Sequence, residues 1–152
     1  MSSVNAQAAA NSATLSLRSG PLGQMVLARV VSMMLARAGC PVERLDEALA
    51  LCDALSAHAL DHSVSDCVEL TVRTSEHTLT LRLGALTDGG ASALLRDTSL
   101  PGVGSVLEQI ADELLIEPAD AKRRAESSTT SKAEELALTV HFTPGARERA
   151  HR

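Results

Sequence analysis

The chain has 152 residues, 45% hydrophobic and 22% charged, with a formal net charge of -5 at pH 7. That length and composition exclude two ordinary domains and bulk disorder. One Phe, no Tyr and no Trp leave almost no ring faces for stacking single-stranded bases, and the acidic balance offers no cationic excess for a phosphate backbone, so nucleic acid is excluded as a partner.

Residues 1–12, mostly Ser, Ala, Asn and Gln, read as a loose leader. They lack the basic start and Leu-rich run of a signal peptide. No apolar run nears the ~18 residues that span a bilayer, so the expectation is a cytoplasmic protein with no membrane partner. The alternating ATLSLR of residues 13–18 suggests a short edge strand. Gly20-Pro21 then punctuates the chain.

From Leu22 to Ala38, apolar residues at Leu22, Met25, Val26, Val30, Met33, Met34 and Leu35 follow a helical stripe, read as core-facing. The same methionines would alternatively suit a partner surface. Gly39 and Pro41 close that helix. A second helix spans about Val42 to Leu60, with Leu45, Ala48, Leu49, Cys52, Leu55, Ser56 and Ala59 inward. Its end carries His58 and His62, an i,i+4 pair of the kind that holds metals, with Asp61 and Asp66 nearby. Spacing places no third ligand, and helix-end histidines suited to the dipole are the simpler reading.

The period then changes to two. Val68, Leu70 and Val72, then Leu79, Leu81 and Leu83, alternate with polar residues on either side of a short turn, predicting an antiparallel hairpin. Residues 84–102 carry Gly84, Gly89, Gly90 and Gly102 with no sustained period. They suggest a long mobile connection with a short helix at Ser92–Arg96. A third helix after Gly104, a short LLIE strand, a charged loop over 118–133 and a final strand through Leu136, Leu138, Val140 and Phe142 follow. Residues 144–152 read as a tail. Cys40, Cys52 and Cys67 form no C-x-x-C and read as reduced thiols.

Helix, helix, strand, strand, loop, helix, strand or turn, strand predicts an α+β fold over residues 13–143. It is a two-layer sandwich with helices on one face of a mixed, largely antiparallel sheet.

This order resembles the histidine-kinase-like (GHKL, Bergerat-type) ATPase domain, and within it the small bacterial anti-sigma serine kinases. The local strings that carry the resemblance are Asp53-Ala54-Leu55-Ser56-Ala57-His58, Asp88-Gly89-Gly90, and Pro101-Gly102-Val103-Gly104-Ser105. The resemblance implies ATP and magnesium as ligands. Asp53 stands at the catalytic acid, Ser56 and Ala57 among the nucleotide-binding residues with Ala57 at the place of the magnesium-chelating Asn, Asp88 and Gly90 at the adenine reader, and Gly102 and Gly104 at the phosphate clamp. Ala57 replaces an Asn and cannot ligate a hard cation. The Asp-x-Gly motif falls on Gly84 when counted straight off the strand, and on Asp88 only after a four-residue slip. The resemblance therefore implies a regulator acting by protein contact, with nucleotide binding weakened or lost. Its implied partners are a sigma factor, an anti-anti-sigma (STAS) protein, or a second copy in a homodimer. A working ATP-binding serine kinase, and a crevice packed shut on Leu94 and Leu95, are the alternatives.

Overall fold

The computed structural model describes residues 11–18, 20–119 and 132–143. Its elements are β1 (Asn11–Leu17), α1 (Pro21–Arg37), α2 (Val42–His58), a 3-10 turn (Ala59–His62), β2 (Val68–Ser75) and β3 (Thr78–Leu86). After these come α3 (Gly90–Asp97), β4 (Ser99–Leu100), β5 (Gly104–Ser105), α4 (Val106–Ile110), β6 (Glu113–Pro118) and β7 (Glu134–His141). Five strands form one sheet in the order β1-β2-β3-β7-β6. Every pairing in it is antiparallel. The fold is an α+β sandwich. Asn11 and Ser12 already pair with Thr74 and Arg73, so the first strand begins inside the stretch read as a leader.

Alternation decides which sheet face is covered. Leu70, Val72, Leu79, Leu81, Leu83, Leu136, Leu138 and Val140 are buried. Each such side chain contributes about 1.5–3 kcal/mol relative to exposure. The intervening residues form the more polar face, where Arg82 reaches the buried Glu135 at 3.1 Å and Glu117 at 3.3 Å.

Above the apolar face lie α1 and α2, which pack on one another. Pro21 starts α1 with φ preset for helix. Gly39, at φ 77, ends it in the left-handed region while the Cys40 amide returns to the Leu35 carbonyl at 3.0 Å. The buried face of α1 is Leu27, Val31, Met34 and Leu35. This corrects the expected stripe: Leu22 (71%), Met25 (64%), Val26 (41%) and Met33 (56%) are exposed. In α2 the expected Ala48, Cys52 and Leu55 are buried, joined by Leu51, while Leu45, Leu49 and Ser56 are half-buried.

Arg44 joins three elements. Its Nε donates to the His141 carbonyl at 2.9 Å. Its guanidinium also donates to Glu47 on the same helix and to Asp112 before β6. Asp112 in turn accepts from the His141 amide at 2.6 Å. That amide bond, with Arg44 beside it, holds the Asp112 carboxyl below the usual range.

The stretch expected to be a long connection is ordered nearly throughout. The second strand of the hairpin, β3, continues to Leu86, and α3 starts at Gly90. Leu94 and Ala91, both fully buried, fasten α3 to the core.

Candidate functional site

The chemistry-bearing side chains gather where α2 ends. After His58 the chain tightens into the 3-10 turn and passes under α3. Close approach there depends on Gly90: a Cβ at that position would lie 2.8 Å from Thr87 Oγ1 and 3.1 Å from the His62 carbonyl oxygen. The Thr87 amide donates to the same carbonyl at 2.8 Å. At the other end of α3, the His62 ring bonds Asp97, with Nε2 and Oδ2 2.5 Å apart. So α3 is held along the turn at both ends. The Asp97 carboxyl lies below its ordinary range, first because His62 donates to it and then because His58 and Arg96 are near.

His58, Asp61 and Asp97 each turn one ligand atom into a common space, all within 4.8 Å of one another. His58 is half-buried and both carboxylates are exposed. Two of the three follow from the helical spacing of His58 and Asp61. Asp97 was not anticipated, and no local pattern marks it, because it arrives from a separate helix.

The positions implied by the family resemblance do not converge in the same way. Asp53 is exposed and accepts a hydrogen bond from Gln24 of α1 at 3.2 Å. Ala57 is also exposed and, four residues on, shares that side of α2. The residue of this turn that faces α3 is His58. Ser56 points inward, and its buried hydroxyl has no partner among the described residues. Asp88 is exposed in the turn before α3, where the Gly89 amide donates to Glu134 at 2.6 Å.

Gly102 and Gly104 lie in the β4–β5 hairpin at φ 76 and φ 96. Such angles favour glycine, so the turn itself accounts for both residues. A Cβ at Gly102 would meet nothing within 4 Å, and one at Gly104 only Gln109 at 3.9 Å. The hairpin is fixed from behind: Thr98 Oγ1 and Ser105 Oγ are 2.9 Å apart and buried. Ser105 also accepts from the Leu107 amide, capping the five-residue α4.

This set does not fit a magnesium-bound triphosphate. Ala57 has no oxygen to offer, Asp53 is engaged by Gln24, and the Gly102–Gly104 turn is not a cradle that a Cβ would fill. No protein-family model matches the chain, and no curated protein matches it significantly. No helix among the described residues is long and apolar enough to cross a membrane.

Proposed function

We propose that this chain is a regulatory binding protein of the anti-sigma type on a histidine-kinase-like fold, acting by protein contact, with nucleotide binding weakened or lost. The observation that carries the reading is the outer side of α1, where Leu22, Met25, Val26 and Met33 are exposed together. Contiguous apolar faces of this kind mark interaction surfaces, and methionine suits adaptable ones.

The adjoining sheet edge supports it. Helix α1 packs over β1 and β2, and β1 is an edge strand. Its seven residues, NSATLSL, contain no charge and no Pro. Exposed edges usually carry such residues to block pairing with another chain. The opposite edge, β6, does carry them: Glu113, Glu117 and Pro118. A second copy, a sigma factor or an anti-anti-sigma protein are the partners this reading implies, and β1 pairing is the mode.

Sedimentation velocity on the full chain tests it. Self-association that Met25→Lys with Met33→Lys abolishes, without loss of thermal stability, is the expected result for the homodimer. Thermal shift with magnesium and ATP tests the nucleotide half. Ligand at one hundred times Kd adds about 2.7 kcal/mol of stability. A clear shift at millimolar nucleotide would favour the serine-kinase alternative.

A further inference from the structure

From the meeting of α2, the 3-10 turn and α3, we infer that His58, Asp61 and Asp97 bind one zinc-type divalent cation, with His62 orienting Asp97 from behind. The site is independent of the proposed nucleotide history and of the α1 surface.

The donor set selects the metal class. One imidazole nitrogen and two carboxylate oxygens suit zinc and its first-row neighbours better than magnesium or calcium, which take all-oxygen shells. Zinc bonds to such ligands are about 2.0–2.2 Å long, which puts tetrahedral donor atoms about 3.3–3.6 Å apart. The three atoms now lie within 4.8 Å of one another. Small rotations of two exposed carboxylates and one half-buried ring close that gap. Neither His58 nor Asp61 has a side-chain hydrogen bond among the described residues, so their donor atoms are uncommitted.

Two further features point to a cation. His58 is the last residue of α2 and Asp97 the last of α3, so two helix C-termini, the negative ends of their dipoles, meet at the site. Metal-ligating carboxylates are typically held by an outer hydrogen bond, and the His62–Asp97 bond is already in place. Arg96, exposed beside Asp97, opposes a cation, but the two carboxylates outweigh it. Three protein ligands leave a fourth position for water or a partner's side chain. The metal would tie α3 to the end of α2.

Calorimetric titration of the metal-free full chain with zinc, in excess magnesium and a thiol-free reductant, tests the inference. One zinc per chain is expected. Uptake should be lost in His58→Ala and in Asp61→Asn, and should weaken about 10–100-fold in His62→Ala. Cobalt bound at the site should show the visible absorption of a four-coordinate centre, also lost in Asp61→Asn. Asp61→Asn is an exposed, near-isosteric change, so it reports on binding even if His58→Ala fails to fold. No uptake below millimolar zinc, uptake unchanged in Asp61→Asn, or uptake lost on Cys67→Ser instead would overturn the site.

Discussion

Asp97 accepts a hydrogen bond from His62, a residue 35 positions earlier in the chain, and this contact pins the C-terminal end of α3 to the turn that follows α2. Because the bond is made to the ionised carboxylate, it holds the Asp97 carboxyl below its ordinary range. A carboxyl so lowered favours the fold above its unfolded pKa, and that contribution fades as pH falls through the folded value. Carbon-detected NMR titration should find Asp97 titrating below a free carboxylate in the wild type. In His62→Ala its midpoint should move up. An unmoved midpoint would mean that the contact does not persist in solution.

The Arg44 clamp has its own acid limit. Asp112 is lowered first by the His141 amide and then by Arg44. Its share of the clamp is therefore complete at neutral pH and lost towards strong acid. Urea unfolding at pH 7 should show Arg44→Ala costing about 1–3 kcal/mol, since three hydrogen-bonded partners lose a charged donor at a partly exposed site. Asp112→Asn should flatten the acid limb of the stability profile.

Two neighbouring glycines should fail for different reasons. Gly89 has φ +77 and open space around its missing Cβ, so Gly89→Ala costs only the left-handed penalty, about 1–2 kcal/mol. Gly90 has an ordinary φ, but a Cβ would press on Thr87, the His62 carbonyl and Leu86 at 2.8–3.2 Å. Gly90→Ala should cost about 1–3 kcal/mol. It should also disturb the His62–Asp97 contact, visible as a changed Asp97 titration, which Gly89→Ala leaves alone.

Thiol chemistry should separate the cysteines. Burial pushes the Cys52 thiol up to about 12, so almost no thiolate exists at pH 8. Native protein treated with an aromatic disulfide reagent at that pH should leave Cys52 unmodified. Cys67, half-buried, should react. All three thiols of the chain should react in urea. Fast modification of native Cys52 would mean that α2 opens locally.

The strands were legible because their signal is local. Leu79, Leu81 and Leu83 alternate with polar residues, and a period of two assigns both the strand and its buried face. The face of α1 was not legible. Apolar residues surround that helix at Leu22, Met25, Val26, Leu27, Val30, Val31, Met33, Met34 and Leu35, so two stripes compete and the pattern alone does not choose. Packing against the sheet and α2 selects Leu27, Val31, Met34 and Leu35. The glycines of residues 84–102 suggested a loose connection, whereas Gly84 lies within β3, Gly89 and Gly102 serve tight turns, and Gly90 allows one close approach at the start of a short helix.

The chain's own order of residues determined an α+β domain: apolar periodicity and turn residues act over a few positions and need no partner from elsewhere. Tertiary structure alone decided the surface of α1, since burial of a helix face depends on what it meets. It also decided the cluster at the end of α2, because Asp97 joins His58 and Asp61 only when α3 folds back across the turn, and no interaction between neighbours in sequence encodes that return.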